Sequence, residues 1–186
     1  YLMQEVAAKR KVYIDKKLFE RICQGDQDAF RELYELSYSP LYAFLLSYTL
    51  NAEDAKDLLQ DTFVQVLNNS HLYREQGNPM AWMMTIAKNL FLMKCRKERM
   101  QGINYEDVEY QLGFDDMTNV ENRMVLEKMF EVLSQEDRNI IIMHDVSGLK
   151  HREIANMMDM PLGTVITRYN RGIRKLQKEF AERRPT

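Results

Sequence analysis

From residue 26 onward, apolar residues return at three- and four-residue spacing in block after block. Nowhere do they alternate with polar residues as a half-buried strand requires. This periodicity restricts the chain to an all-α fold. It also fails in one place. "QGINYEDVEYQLGFDDMTN", residues 101–119, carries two glycines and many acids with no clear period. A structureless stretch longer than about 12–15 residues is uncommon inside one compact domain, so it reads as a linker. The expected architecture is two small helical domains joined by a flexible linker. The predicted bounds are an N-terminal tail over 1–14, a domain over 15–100, the linker over 101–120 and a second domain over 121–182. A length of 186 residues suits two small domains.

Local signals punctuate the helices. Asp26 precedes "QDAFRELYELS" as an N-cap, and Pro40 is expected to interrupt before "LYAFLLSYTL" resumes. Asn51 caps "AEDAKDLLQDTFVQVLNN", in which Ala52, Ala55, Leu58, Leu59, Thr62, Phe63, Val66 and Leu67 form an apolar face. Asn78-Pro79 opens a further helix through "MAWMMTIAKN". A break is expected before "LFLMKCRKERM". In the second domain "VENRMVLEKMFEVL" is one helix. Ser134 caps the next, with Asp137 as a variant capping box and Gly148 as its end.

Several classes are excluded. Cys23 and Cys95 form no CxxC, and His71, His144 and His151 have no metal-ligand spacing, so no disulfide frame, metal or cofactor is expected. No nucleophile–base pair or phosphate-cradling loop stands out, which argues against an enzyme. The longest apolar run, at 41–48, falls far short of the ~20 residues of a membrane span. The N-terminus lacks the apolar core of a signal peptide. The expected compartment is reducing and cytoplasmic. The formal net charge is −2, so any nucleic-acid partner must be met at local patches.

Three constellations carry chemistry. In "PLGTVITRYNRGIRKLQ", residues 161–177, a short helix at about 152–158 meets a turn at Asp159 and a longer helix from about Leu162. Ile154, Ala155 and Met158 of the first helix face inward, with Val165, Tyr169, Gly172 or Ile173, and Leu176 of the second. Thr164, Thr167, Arg168, Arg171, Arg174 and Lys175 remain outward. This describes a helix-turn-helix, whose arginines suit phosphates and guanine edges; a helical hairpin with a solvated basic face is the alternative. In "KNLFLMKCRKER", residues 88–99, Lys88, Lys94, Arg96 and Lys97 stand beside Asn89, Phe91 and Trp82. That mixture suits unstacked bases. The alternative puts Trp82, Ile86 and Leu90 in the core and leaves the cations to the helix dipole. On 51–66, Asp54, Asp57 and Asp61 form an acidic stripe that is either solvated or docks a basic partner. Like charges on one turn need compensation.

Together and in this order, the three segments resemble the bacterial sigma factors of the extracytoplasmic-function (ECF) group, within the sigma-70 family of RNA polymerase initiation factors. "EDAKDLLQDTFVQVL" looks like that family's polymerase-binding helix, and "NPMAWMMTIAKNLFLMKCRKER" like its TWL-x-x-IA-x-N segment with following basic residues. "LKHREIANMMDMPLGTVITRYNRGIRKL" resembles its EIA…GTV-x-SR-x-x-RA helix-turn-helix. The departures are Thr167 for Ser, Ile166 where Lys is frequent, and Gly172 for a frequent Ala.

The resemblance implies a transcription initiation factor that binds core RNA polymerase and directs it to promoters. Asp54, Asp57, Leu58, Gln60, Asp61 and Phe63 would contact the clamp of the largest subunit. Trp82, Lys88, Asn89, Lys94, Arg96 and Lys97 would meet the downstream promoter element as single strand, with Lys88 and Asn89 near a flipped-out base. Lys150, Arg152, Thr164, Thr167, Arg168, Arg171, Arg174 and Lys175 would meet the upstream element as duplex, with the polymerase flap as a second partner of this domain. The resemblance also implies an anti-sigma factor, and no membrane insertion of the chain itself. A stand-alone helix-turn-helix regulator would leave "DLLQDTF" and residues 78–99 without a role. A sigma-like mimic that does not drive transcription would be expected to lose its basic faces.

Overall fold

The computed structural model describes residues 12–74, 77–103 and 120–182. Residues 1–11 of the predicted tail and most of the predicted linker lie outside the described residues. The described chain forms two compact units, one from residue 12 to 103 and one from 120 to 182. Regular structure among the described residues is entirely helical.

The first unit contains α1 (Lys17–Cys23), α2 (Gln27–Thr49), α3 (Ala52–Asn69), a short 3-10 turn (Ser70–Leu72) and α4 (Pro79–Met100). Three predicted caps are made. Asp26 accepts from the amides of Asp28 and Ala29, Asn51 from Asp54, and Asn78 from Met80 and Ala81. Each satisfies amides that the first helical turn leaves without a partner. Leu41–Ser47 of α2 are buried on every side, so this helix runs through the middle of the unit.

Two expectations fail here. Pro40 does not interrupt; α2 runs unbroken through it. A proline inside a helix costs about 3 kcal/mol, but Pro40 is itself buried and opens the fully buried run, whose packing outweighs that cost. The break expected between Asn89 and Leu90 is also absent. α4 is continuous from Pro79 to Met100, because nothing in 88–91 interrupts its backbone hydrogen bonding. The core face of α4 is Met80, Met83, Met84 and Ala87. Trp82, Ile86 and Leu90 lie beside it, only half-buried. Leu67, expected inside, is exposed at the far end of α3.

The second unit contains α5 (Val120–Val132), α6 (Gln135–Ile141), α7 (His151–Met158) and α8 (Leu162–Glu182). α6 passes into a π-helical turn (Ile142–Val146), and the chain leaves it at Gly148, whose φ of +75° favours glycine. The Ser134 hydroxyl accepts from the amide of Asp137, as a cap should. The other half of the predicted capping box is not made, because the Asp137 carboxylate turns to α8 instead. Asp159, between α7 and α8, adopts φ 51° and ψ 48°, the left-handed conformation expected of it. Val165, Gly172 and Leu176 bury one line of α8. At Gly172 α8 lies close on α6: a Cβ at this position would come within 2.8 Å of the Ile141 Cδ1, which would have to shift. Ile173 and Met158 are only half-buried.

Candidate functional site

On α3 the acidic stripe is largely free. Asp57, Gln60 and Asp61 are exposed, on the side opposite Leu58, Leu59 and Phe63. Leu58 and Phe63 are core residues, each 5% exposed. The Phe63 ring packs on Tyr34 at 4.6 Å and edge-on to Phe30 at 6.4 Å. Asp54 has a partner that the one-dimensional pattern did not show. Its Oδ1 lies 2.6 Å from Lys94 Nζ on α4, which also reaches Glu98 at 3.2 Å. Burial works to lower the Lys94 pKa, but the hydrogen bonds to Asp54 and Glu98 outweigh it and hold it above 10.5. Lys94 therefore ties the acidic helix to the basic one and compensates part of the charge on α3.

Along α4 the remaining residues divide by depth. Trp82 packs edge-on against Phe19 at 5.4 Å and Tyr73 at 5.5 Å, and so helps hold α1. Lys88 is half-buried, while Asn89 is exposed. The Phe91 ring packs tilted against Tyr48 at 5.2 Å. Arg96 and Lys97 project into solvent beside Met93, Met100 and Gln101, which form a shallow depression. Asn89, Arg96 and Lys97 thus share the outer side of one continuous helix, next to the exposed apolar residues Leu92 and Met93.

In the second unit, the Lys150 backbone N–H donates to the Glu153 carboxylate at 2.8 Å and sets the start of α7. The side chains of Lys150 and Arg152 are exposed, as are Thr164, Thr167, Arg174 and Lys175 on α8. Of the arginines expected outward, Arg171 is exposed and Arg168 half-buried, and the guanidiniums of both reach α6. Arg168 donates to Asp137 at 2.9 Å and pairs with Glu136; one Nη of Arg171 straddles both Asp137 oxygens at 2.9 and 2.8 Å. The Asp137 side chain is 1% exposed, against 27% for Arg168 and 52% for Arg171. Burial pushes the Asp137 carboxyl up, yet the two guanidiniums hold it below the usual carboxylate value. The sequence offered Asp137 only as a cap; its partners stand 31 and 34 residues away.

A second cluster also escaped sequence reasoning. His144 and His151 stack with centroids 4.2 Å apart, and the Tyr169 ring meets both edge-on. The Tyr169 hydroxyl donates to Asp145 at 2.9 Å, and His144 Nδ1 lies 2.7 Å from the Leu149 carbonyl. The inward position of Tyr169 was the only signal for it. Among the described residues no group of three or more His, Cys, Asp or Glu could hold a metal ion. No described helix is long and apolar enough to cross a membrane.

Two family models match the chain. Sigma-70 region 2 covers residues 33–100, spanning most of α2 through α4. Sigma-70, region 4 covers residues 123–176, spanning α5 into α8. Curated relatives align nearly end to end. An ECF RNA polymerase sigma-E factor from Haemophilus influenzae is 27% identical over 180 residues, covering 89% of this chain and 95% of the relative. The sigma-E factor of Escherichia coli strain K12 is 29% identical over 168 residues, 83% of this chain and 87% of the relative. Among solved structures, the sigma factor RpoE in complex with the anti-sigma factor NepR from Bartonella quintana superposes with a TM-score of 0.60. It is 26% identical and covers 83% of this chain and 98% of that one. The fold is also that of CnrH in complex with the cytosolic domain of CnrY, at a TM-score of 0.61 and 19% identity, covering 91% and 99% of the two chains. The chain belongs to the ECF sigma factors of the sigma-70 family, non-enzymatic initiation factors that act on RNA polymerase and promoter DNA.

Proposed function

We propose a division of this work between the two units. The exposed acids Asp57 and Asp61, with Gln60 and Asp54, meet the clamp of the largest polymerase subunit. Leu58 and Phe63 support that helix from inside. The outer side of α4 faces the downstream element. Asn89 and Lys88 hold an extruded base there, Trp82 braces the helix beneath, and Arg96 and Lys97 follow the strand backbone, with Lys94 joining α3 to α4. Extruding a base costs a few kcal/mol, which a pocket and stacking offset, and this helps melt the element. In the second unit α8 enters the major groove of the upstream element. Lys150, Arg152, Thr164, Thr167, Arg174 and Lys175 line the contact, the Arg168 and Arg171 guanidiniums sit behind it, and the flap docks the same unit. An anti-sigma factor restrains the free protein, which works in the cytoplasm.

The observation that carries this reading is the separation of charge. An exposed acidic stripe lies on α3 of one unit, and an exposed hydroxyl and basic face lies on α8 of the other. The test is titration of fluorescently labelled protein with bacterial core RNA polymerase in the absence of DNA. Saturable binding that Asp61→Arg abolishes supports the reading. Binding that survives Asp61→Arg removes the acidic stripe from the contact.

A further inference from the structure

α8 turns about 100° per residue, so its exposed face can be read off as a wheel. Val165, Tyr169, Gly172 and Leu176 cluster on the inner side, where all but half-buried Tyr169 are buried. Thr167, Asn170 and Arg174 lie opposite, all exposed, with Ile166 at the margin and 38% exposed. Arg168 sits nearer the inner side than the outer, and its guanidinium is on Asp137 and Glu136.

We propose that Thr167, Asn170 and Ile166 read the bases of the upstream element, and that Asp137 is the positioning residue that withholds Arg168 and Arg171 from base reading. The inference rests on the reading that α8 enters the major groove.

Energetics favours the clamp over the base. Asp137 is almost wholly buried, so removing its arginines would leave a buried charge without a partner. A guanine edge offers a neutral pair of acceptors and cannot compensate for that loss. Arg171, half exposed, can touch a phosphate while one Nη stays on the carboxylate. Residues in the N-terminal half of a recognition helix reach base edges. That leaves a carboxamide, a hydroxyl and two methyl-bearing side chains where arginine would otherwise stand. Asn170 presents one donor and one acceptor in a fork that matches the N6 and N7 of adenine. Ile166 and the Thr167 methyl suit the methyl group of thymine. Arg174 and Lys175, one turn beyond Asn170, lie in the C-terminal half of α8 and fall over the backbone. The element under α8 is therefore read through A·T pairs.

The test is selection of promoters by core polymerase carrying the full chain, from DNA randomised across the upstream element. Wild type is expected to enrich adenine at one position. Asn170→Ala should lose that preference by roughly 5- to 150-fold, the worth of one bidentate base contact, while preferences elsewhere persist. Asp137→Asn should free the arginines and add guanine preference at neighbouring positions, an outcome that loosened packing alone does not produce. If Asp137→Asn fails to fold by circular dichroism, Asn170→Ala decides the question. Selection unchanged in Asn170→Ala, or loss of a single guanine preference in a folded Arg168→Ala protein, overturns the inference while leaving α8 as the DNA reader. No selection at all by wild type removes that underlying reading, and the inference with it.

Discussion

Phe63 and Asp61 are two residues apart and belong to different problems. The ring of Phe63 lies in the core against Tyr34 and Phe30, so Phe63→Ala should cost about 3–5 kcal/mol of stability by deleting a buried aromatic. A chemical melt of the first unit checks this, and it means that Phe63→Ala cannot report on a polymerase contact. Asp61 is exposed, and Asp61→Arg should leave that melt within about 0.5 kcal/mol of wild type. Gly172 is a third case. Its missing side chain lets α8 approach Ile141 and Leu133, and the Asp137 Cβ is 3.8 Å from where a Cβ would stand. Gly172→Leu should destabilise the second unit by about 1–3 kcal/mol through overpacking, and it should also disturb the arginines on Asp137. Thermal unfolding gives the first number.

The π-helical turn after α6, the start of α7 and the middle of α8 meet at the His144–His151–Tyr169–Asp145 cluster. Burial, then the neighbouring His144, lowers the His151 pKa below 6.5. The unfolded chain therefore takes up that proton first. The His151 contribution to the stability of the helix-turn-helix unit is full above about pH 6.5 and is lost as pH falls below it. Burial raises the Asp145 carboxyl, an effect only partly offset by Tyr169 and His144. Its contribution has the opposite sense, being largest at low pH and lost as pH rises through the folded value. Tyr169, held protonated by burial and Asp145, does not titrate in this range. Melting temperatures at pH 7.5 and 5.5 should therefore differ, and His151→Gln should flatten the difference by removing only the imidazole. An equal slope in that variant would trace the pH dependence to other groups.

The chain's net charge is only −2, although it presents an acidic stripe on α3 and exposed basic residues on α4 and α8. Each contact can be weak by itself. Once one unit is held by the polymerase, the second engages at an effective concentration near ~mM for a suitable connection. Promoter DNA should therefore bind the free chain poorly and the polymerase-bound chain well. Asp57→Arg with Asp61→Arg should abolish the gain without changing the weak binding of the free chain. Fluorescence anisotropy with and without core polymerase measures both.

The helices from Gln27 onward, their caps at Asp26, Asn51, Asn78 and Ser134, and the left-handed turn at Asp159 were legible in the sequence, because each depends on neighbours within four residues; α1, over Lys17–Cys23, was not. The family motifs were legible for the same reason. Partners distant in sequence were not. Pro40 looked like an interruption because local chemistry alone disfavours it, whereas burial of the following seven residues overrides that preference. Asp54 and Lys94 were assigned to different faces, yet they join α3 to α4 across 40 residues. Arg168 and Arg171 carried the basic signal of α8, and their outward positions followed from spacing. Whether a guanidinium turns to solvent or to a buried carboxylate depends on what another helix places beneath it. Only the tertiary structure brings Asp137 there, and a buried charge outcompetes water for the arginines.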